Sequence, residues 1–562
     1  MAECKEQVYS NDFYDFIVPY GEVRPLPGSG GCTQRIDEDY EVVYYPREGL
    51  PELSLENFTY TSIPKCYGLL DKTALEVSGI LNMQNQPALA LKGDGVLIGF
   101  IDTGIDYTNP LFQYADGSTR ILQIWDQTIQ NGIPPVGISY GAVYSKEQIN
   151  SALKSENPYE EVPTRDENGH GTFLAGVACG GENFENDFIG AAPHADIAVV
   201  KLKEAKQYLR DFFFVPDGVP AYEETDIMMA VSYLNGLAAI YNQPLVICIA
   251  LGTNCGSHGT DSYLASYLNF ICERRNRAVV VATGNEANAR HHFQGRISGD
   301  MEYEEVEIDV EENMDGFFME LWADAPELYA VSVISPTGEQ VPRIPVRFGT
   351  SEIYNFIFER TTITIDYRME TREGANQLIF FRFLRPNRGI WRIRVYPQST
   401  ISGLYNIWLP MQQFTGGTVF FLRSNPDITL TTPAAARNVI TVGGYNASNG
   451  SIYVNSGRGF TVDGRIKPDF VAPAVNVAGP GLRKNFVTYT GTSAAAAITC
   501  GACAQVLQWA LVEQNQPKMS NTALKNMLIR GTKKSEQQNY PNREWGYGAL
   551  DVYQAFRMLQ TS

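Results

Sequence analysis

Three polar residues occupy short glycine-containing strings that are far apart in the chain. Asp102 lies in Phe-Ile-Asp-Thr-Gly, His170 in Asn-Gly-His-Gly-Thr, and Ser493 in Gly-Thr-Ser-Ala-Ala. A serine hydroxyl becomes a useful nucleophile when an imidazole takes its proton, and a carboxylate can hold that imidazole in the required tautomer. The three residues therefore predict covalent catalysis in which Ser493 attacks, His170 is the general base and Asp102 orients the base.

A fourth polar side chain, Asn285, follows the string Val-Val-Ala-Thr-Gly. An amide N–H placed beside a reacting carbonyl can stabilise the oxyanion of a tetrahedral intermediate. Ser493 is predicted to begin a helix, so its backbone N–H has no partner within that helix and can donate to the same oxyanion. Asn285 and Ser493 together predict the oxyanion hole of an acyl-transfer enzyme.

The elements that must position these residues have the pattern of a parallel sheet. Continuous apolar runs predict strands buried on both faces, and a helical segment at 225–241 separates two of them. Asp102 ends one such strand, whereas His170 and Ser493 each open a helix rich in small residues. The predicted strands are residues 96–101, 197–202, 245–250 and 278–282.

The texture of the chain changes at three places, which divides it into four units. Residues 1–62 combine one short helix or strand, a Pro/Gly-rich loop and a strand, which predicts a small α+β unit. The α/β pattern covers 63–295 and returns at 431–562. Between them, residues 296–430 contain short alternating strands separated by turns, which predicts an all-β, jelly-roll-like insertion.

The four strings resemble the signatures of subtilases, peptidase family S8, and the order Asp, His, Ser is also that of subtilases. The resemblance covers residues 63–295 and 431–562. It implies a subtilisin-like α/β fold with helices on both faces of the parallel sheet, and a serine endopeptidase activity. It also implies a substrate strand and a side-chain pocket lined by Leu251, Gly252, Ala282, Thr283 and Gly284.

More narrowly, the chain resembles the clostridial germination subtilases, the Csp family. The insertion and the string Ile-Pro-Lys-Cys-Tyr-Gly-Leu-Leu-Asp at 63–71 both fit that group. The resemblance implies that residues 1–62 are a prodomain that is self-cleaved and acts as an intramolecular chaperone or inhibitor. We expect the cleavage within residues 60–64, with Phe58 or a neighbour in an apolar subsite, and limited proteolysis of a protein precursor.

The sequence departs from the usual subtilase pattern at three positions near the predicted site. Ala250 replaces a serine, Ala494 replaces the methionine after the nucleophile, and Ala497 replaces a proline. None of these changes removes a predicted catalytic atom. They bear on the shape of the pocket, so the substrate preference of other subtilases is not transferred to this chain.

The same residues allow other interpretations. Asp102-Thr-Gly also matches an aspartic-protease string, but that chemistry needs a second such aspartate and the sequence has none. A catalytically silent scaffold that binds a partner through the cleft, or a binding role of the β insertion, remains an alternative. His194, His258, His291 and His292 are predicted to be surface or loop residues without metal-ligand spacing.

Composition excludes some functions and leaves others open. With 44 basic and 63 acidic residues the net charge is −19, which argues against nucleic-acid and anionic-membrane partners. No cofactor is expected, and acidic loops lack the ligand ladder of a calcium site. The nine cysteines follow no disulfide framework and mostly predict buried thiols. Without a signal-peptide pattern we expect a cytoplasmic or spore-associated protein, with non-classical export left open.

Overall fold

The computed structural model describes residues 4–21, 30–69, 78–85, 89–259, 262–299, 301–370 and 375–559. The N-terminal unit is a three-stranded antiparallel sheet in the order β1-β3-β2, preceded by one short helix. A disulfide between Cys4 and Cys32, which the sequence did not predict, joins the helix region to β2, and the seven other cysteines are free and buried. Its elements are α1 (Lys5–Tyr9), β1 (Phe13–Pro19), β2 (Cys32–Arg35) and β3 (Tyr40–Pro46).

The first α/β part holds most of a nine-stranded sheet, and its strands begin and end close to the predicted positions. Their residues are almost all buried, as expected for parallel strands covered by helices on both faces. The elements are β4 (Cys66–Leu69), α2 (Ile80–Asn85), β5 (Leu97–Asp102), β6 (Ile121–Asp126), β7 (Ala142–Ser145), α3 (Lys146–Ala152), α4 (Pro158–Glu161), α5 (His170–Cys179), β8 (Asp196–Lys201), α6 (Gln207–Phe212), β9 (Tyr222–Glu223), α7 (Glu224–Ile240), β10 (Leu245–Ile249), β11 (Leu251–Gly252), α8 (Tyr263–Glu273) and β12 (Arg277–Ala282).

An antiparallel β-sandwich interrupts the α/β fold. A six-stranded sheet in the order β13-β22-β15-β20-β19-β18 faces a five-stranded sheet in the order β17-β16-β21-β14-β23, and an aromatic and aliphatic core fills the space between them. The elements are β13 (His292–Arg296), β14 (Glu304–Val310), β15 (Gly316–Ala323), β16 (Leu328–Ile334), β17 (Gln340–Ile344), β18 (Thr350–Asn355), β19 (Thr362–Glu370), β20 (Asn376–Leu384), β21 (Gly389–Ser399), β22 (Leu404–Trp408), α9 (Gln412–Thr415) and β23 (Val419–Phe421).

The last part of the chain completes the α/β sheet. Strand β24 pairs in parallel with β12, so the main sheet has the order β25-β24-β12-β10-β5-β8-β6-β7, with β26 also on β24. The elements are β24 (Ile440–Asn446), β25 (Ser451–Ile452), β26 (Phe470–Pro473), β27 (Val477–Pro480), β28 (Phe486–Tyr489), α10 (Thr492–Leu507), α11 (Asn521–Arg530) and α12 (Val552–Leu559).

Helix α10 runs through the middle of the protein. A π-helical segment, Gln508–Val512, extends it, and the whole stretch Thr492–Val512 is long and apolar enough to cross a bilayer by length and composition. However, 89% of its most apolar window is buried against the sheet and α5. Its apolar character therefore serves a protein core, as is common for a helix that is hydrophobic on all sides.

The outer face of the six-stranded sheet packs on the α/β domain, and three histidines lie buried at or near this junction. The Trp408 ring is sandwiched between the rings of His258 at 4.1 Å and His292 at 4.9 Å. His291 is buried as well and its Nδ1 lies 2.6 Å from the Pro410 carbonyl oxygen. All three are buried, so the prediction of surface positions was wrong, because the insertion covers a region that sequence pattern alone leaves exposed. The prediction of loop positions holds for His258 and His291, whereas His292 lies in β13.

Acidification should weaken this junction. Burial lowers the pKa of His292 to about 4, from an ordinary value of 6.5. Because the unfolded chain binds the proton more readily, the stabilisation is complete above pH 6.5 and is lost as the pH falls toward 4. From pH 7 to pH 5 we expect His292 to cost about 2 kcal/mol of the free energy of unfolding, measured by chemical denaturation.

The matched variants are His292→Gln and His194→Gln. The first should show a smaller loss of stability on acidification than the parent, whereas the second, at an exposed histidine, should match the parent. Equal pH dependence in the parent and in His292→Gln would contradict the account.

Candidate active site

Asp102 is the last residue of β5, a central strand of the main sheet, and its carboxylate is buried. Its Oδ1 and Oδ2 lie 2.8 and 2.9 Å from Nδ1 of His170, and the Thr103 N–H donates to Oδ1 at 2.8 Å. A carboxylate at this distance favours the tautomer with the proton on Nδ1. The Nε2 of His170 is then the basic nitrogen of the ring.

His170 is the first residue of α5, and the backbone around it is held tightly. Gly169 precedes it with φ of +90°, a conformation that side-chain-bearing residues rarely adopt. On the other side, a Cβ on Gly171 would lie 2.2 Å from the carbonyl oxygen of Gly104. The backbones of the turn after Asp102 and of the start of α5 are therefore in direct contact, which brings the aspartate and the histidine together.

Asp166, a residue that the sequence analysis missed, ties these two segments to each other. Its Oδ1 accepts hydrogen bonds from Gly169 N at 2.8 Å and Thr103 Oγ1 at 2.9 Å, and its Oδ2 accepts from Thr172 N and Oγ1 at 2.9 and 2.7 Å. The carboxylate is buried. Because it accepts the N–H of Thr172, in the first turn of α5, it caps the helix that carries His170. An acidic residue four positions before His170, just ahead of a helix start, was the available signal.

Ser493 is the second residue of α10 and is fully buried. Gly491 at the N-cap has φ of +153°, so the chain makes the sharp turn from β28 into the helix at the glycine of Gly-Thr-Ser. Helix α10 packs against α5, and each helix carries a predicted catalytic residue in its first turn. The first-turn N–H groups of α10 lie at its N-terminus, where they can donate to an anion.

Asn285 follows β12 and is half-buried. Its Oδ1 accepts hydrogen bonds from Thr492 N at 3.1 Å and from Thr492 Oγ1 at 3.2 Å. These bonds fix the amide orientation, since both partners are donors and require the oxygen on that side. The amide nitrogen is left as the group that can donate beside Ser493, which agrees with the predicted role in an oxyanion hole.

One wall of the predicted cleft already carries a strand. Leu251 and Gly252 form β11, which pairs antiparallel with β4 so that Leu251 lies opposite Leu69 and Gly252 opposite Gly68. On its other edge β4 pairs with β9. A segment of the chain itself therefore lies where an extended peptide substrate would bind by strand addition.

The direction of β4 relative to the main sheet follows from its pairing with β11. Strand β11 begins two residues after β10 ends, and β10 is the neighbour of β5 in the sheet. Because β4 is antiparallel to β11, it runs from Cys66 to Leu69 toward the edge at which Asp102 lies. Residues 70–77 lie outside the described part of the chain.

The stretch predicted to hold a self-cleavage bond, residues 60–64, is not part of the strand that pairs with β11. Tyr60–Ser62 form a short 3-10 turn, and the Tyr60 hydroxyl donates to the buried Glu320 of the insertion at 2.7 Å. Phe58 stacks on Phe16 of β1 at 4.8 Å instead of filling a subsite of the cleft. These contacts with the N-terminal sheet and the insertion are ones that local sequence does not reveal, and the cleavage within residues 60–64 stays a prediction.

The other predicted wall lies at the same edge of the sheet. Ala282 ends β12, and Thr283 and Gly284 follow it as buried backbone. The carbonyl oxygen of Thr283 accepts the N–H of Thr431 at 2.9 Å, and that of Gly284 accepts the N–H of Gly457 at 2.8 Å. Within the described ranges no group of three or more His, Cys, Asp or Glu side chains is arranged to hold a metal ion.

Comparison with known proteins identifies the class. A sequence model described as the subtilase family matches residues 93–308 and 418–548. These two stretches are more than half of the chain and leave out most of the β-sandwich, so the chain belongs to the subtilase family of serine proteases.

Individual relatives agree. The chain is similar in structure to the CspB protease of Clostridium perfringens, with a TM-score of 0.77, 32% identity, and coverage of 86% of this chain and 98% of that one. It is 33% identical to the serine protease AprX of Bacillus subtilis over 23% of this chain and 32% of AprX. It is 20% identical to the C5a peptidase of Streptococcus pyogenes over 83% of this chain and 39% of that protein. The matches to SBT2.1, AprX and site-1 protease each span less than a third of the relative.

Replacing Asp166 tests whether it positions the catalytic pair. Asp166→Asn keeps the size but turns one acceptor oxygen into an amide that faces donors, an unfavourable contact of about 1–3 kcal/mol. We expect the rate of peptide-bond hydrolysis to fall at least tenfold and the acid limb of its pH profile to shift. The loss of the cap loosens the contact between Asp102 and the imidazole.

Asp116→Asn is the matched control, because Asp116 also accepts an N–H and an O–H, from Ser118, but in an exposed turn. That variant should keep the parent's rate and pH profile. A lower melting temperature of Asp166→Asn without any change in the pH profile would reduce Asp166 to a purely structural role.

Proposed function

We propose that the chain is an active, subtilisin-type serine endopeptidase with Asp102, His170 and Ser493 as its triad and Asn285 as an oxyanion donor. The observation that carries the proposal is the buried contact of both Asp102 oxygens with Nδ1 of His170, at the sheet edge where the helix of Ser493 begins. A neutral structural histidine does not require a buried carboxylate on one nitrogen. A general base does, because it must become positively charged.

The reaction proceeds in two halves. Nε2 of His170 takes the hydroxyl proton while Ser493 Oγ forms a bond to the scissile carbonyl carbon, and Asn285 and the Ser493 N–H donate to the oxyanion. His170 gives its proton to the leaving nitrogen as the C–N bond breaks, which leaves an acyl-enzyme. A water molecule then transfers a proton to His170, attacks the acyl carbon and releases the acid together with the free Ser493 hydroxyl.

The first substrate is the chain itself. Strand β4 lies on β11 as a substrate strand would, and the residues that follow it in sequence are Leu70 and Asp71. In strand addition the paired residues bind and the reacting carbonyl comes directly after them. We place the bond that is cut between Leu70 and Asp71, so that the prodomain extends to Leu70 rather than to residue 62.

After that cut the N-terminal unit stays bound as an inhibitor. Nζ of Lys206 lies 2.5 Å from Asp15 Oδ1 of β1, and both residues are buried. Burial raises the pKa of the Asp15 carboxyl group, and the charge of Lys206 opposes that rise. Tyr14 and Phe16 of β1 are buried in one core with residues of the α/β domain, and the Tyr14 ring packs on that of Tyr208 at 5.0 Å. Separating the units would expose this apolar surface to water, which is costly, so release requires a further event.

In trans we expect limited proteolysis of a protein precursor. A cleft that binds an extended strand selects unfolded or exposed segments and leaves compact domains intact. A catalytically silent protein whose cleft is permanently filled by its own segment is the alternative, and the same pairing of β4 with β11 is its support. Self-cleavage separates the two.

Intact mass and N-terminal sequencing of the purified chain test the proposal. The parent should yield two fragments, the second beginning at Asp71, whereas Ser493→Ala should remain full length. The Asn285→Ala variant should be cut in the same place about a hundred- to a thousandfold more slowly, the loss that follows removal of one oxyanion donor.

Two results would count against it. A parent chain that stays intact, like Ser493→Ala, would favour the silent scaffold. A cut within residues 60–64 would leave the protease in place but contradict the assignment of β4 as the substrate strand.

A further inference from the structure

A covalent cross-link joins two segments of the N-terminal unit. The disulfide connects Cys4, the N-cap residue of α1, to Cys32, the first residue of β2, over a sequence separation of 28. Both cysteines are buried. The seven other cysteines are free, so this is the only disulfide among the described residues and the one place there at which a thiol can break a bond.

Helix α1, at one end of the cross-link, contacts the α/β domain. The carbonyl oxygen of Gln7 accepts a hydrogen bond from Nζ of Lys206 at 2.7 Å. The Tyr9 hydroxyl donates to the Gln127 carbonyl oxygen and accepts the N–H of Gly141, both at 2.8 Å. The helix therefore supplies polar contacts that hold the N-terminal unit on the rest of the protein.

Strand β2, at the other end of the cross-link, also contacts the α/β domain. It is the edge strand of the three-stranded sheet, next to β3. Oε1 of Gln34 accepts a hydrogen bond from the Ser139 hydroxyl at 2.6 Å. Just after the strand, the Ile36 carbonyl oxygen accepts one from the Ser232 hydroxyl, also at 2.6 Å. The disulfide thus fixes two contact segments relative to each other.

The N-terminal unit depends on this bond because the unit is small. Chains of fewer than about 70–80 residues rarely build a sufficient core of their own, and a five-residue helix such as α1 is not stable by itself. Removal of a disulfide from a small domain typically lowers the folding equilibrium constant by a factor of about 30 or more. Without the bond, α1 is the element whose position is least secured.

We propose that the Cys4–Cys32 disulfide is a site of thiol–disulfide exchange with small thiols, and that its reduction releases the N-terminal unit from the self-cleaved protein. The inference rests on the proposed protease function and names the further event that release requires. Before reduction, the bound unit keeps β4 on β11 and blocks the cleft. After reduction, α1 separates from β2 and from the α/β domain, the unit dissociates, and β11 can pair with another substrate strand.

The exchange takes place in two steps. Local opening of α1 exposes the buried bond, since short elements open at the lowest cost in free energy. The thiolate of a small thiol attacks one sulfur atom, the S–S bond breaks, and the other cysteine leaves as a thiolate that takes up a proton. A second small thiolate attacks the mixed disulfide and frees the remaining cysteine. Two small thiols are thereby oxidised to their disulfide, and the protein disulfide is reduced to two thiols.

The state of the bond follows the redox conditions around the protein. Disulfides persist in oxidising compartments, whereas glutathione and thioredoxin keep thiols reduced in the cytosol. The self-cleaved protein is therefore inhibited under oxidising conditions and active under reducing ones.

Reduction of the self-cleaved parent provides the measurement. The mass of the N-terminal fragment should increase by two hydrogen atoms on treatment with dithiothreitol, which establishes that the bond was present. Hydrolysis of a chromogenic peptide with leucine before the cut bond should become about tenfold faster or more, because the freed cleft accepts the peptide. In size-exclusion chromatography the N-terminal fragment should then elute apart from the rest of the chain.

Cysteine variants locate the effect. The double variant Cys4→Ser, Cys32→Ser should have the high rate without dithiothreitol and should not respond to it. Cys272→Ser is the matched control, because Cys272 is a free and buried cysteine of α8. It should keep the parent's low rate and the parent's rise. The parent's own response decides the question if the double variant does not fold.

The uncut Ser493→Ala chain tests the bond independently of self-cleavage. Its N-terminal unit cannot leave, but reduction should still increase the hydrogen exchange of the backbone amides of residues 5–9. The same treatment should leave the exchange of the Cys272→Ser chain equal to the parent's.

The outcomes separate the two proposals. A self-cleaved parent that shows no mass change, or that is reduced without a change in rate or in fragment association, overturns the role of the disulfide while the protease function stands. A folded double variant that still responds to dithiothreitol does the same. A parent chain that is never cut overturns the protease function and the release with it, whereas unchanged hydrogen exchange in reduced Ser493→Ala overturns the role of the disulfide alone.

Discussion

The contact between the Asp102 carboxylate and Nδ1 of His170 joins residues 68 positions apart, and the other site residues are arranged around it. This contact depends on the sheet, because the last residue of β5 must lie next to the first residue of α5. It depends on small residues, because Gly104 and Gly171 touch through backbone. It also depends on Asp166, whose carboxylate holds the turn after Asp102 and the first turn of α5 together. A buried carboxylate is stable only when all of its hydrogen-bond donors are in place. The segments that supply these donors therefore fold as one unit.

Buried aromatic and polar contacts also join the units to one another. The insertion packs on the α/β domain through the His258–Trp408–His292 stack, and Glu320 reaches the Tyr60 hydroxyl, Gly256 N and Trp322 Nε1 at 2.7–2.8 Å. One carboxylate thus contacts the N-terminal unit, the loop after β11 and Trp322 in its own strand, β15. The segment that leads into β4 is held on the insertion by this hydrogen bond, so the sandwich helps to position β4 beside β11.

The sequence predicted the features that depend on local pattern. Continuous apolar runs located β5, β8, β10 and β12, and short alternating strands separated by turns located the all-β insertion. Glycine-containing strings indicated the four candidate catalytic residues. What it missed depends on contacts between distant segments. The burial of His258 and His292, the role of Asp166, the pairing of β4 with β11 and the disulfide between Cys4 and Cys32 each require the folded chain. No local period distinguishes a loop covered by an insertion from one that faces water.

The proposed protease function requires that Ser493 is an activated nucleophile. The most direct measurement is labelling of the purified full-length chain with a small fluorophosphonate, followed by peptide mapping, in the parent and in His170→Ala. We expect one adduct per chain, on Ser493, in the parent and none in His170→Ala, since an unactivated serine hydroxyl does not react at a comparable rate. Absence of an adduct in the folded parent, or equal labelling of both chains, would contradict it.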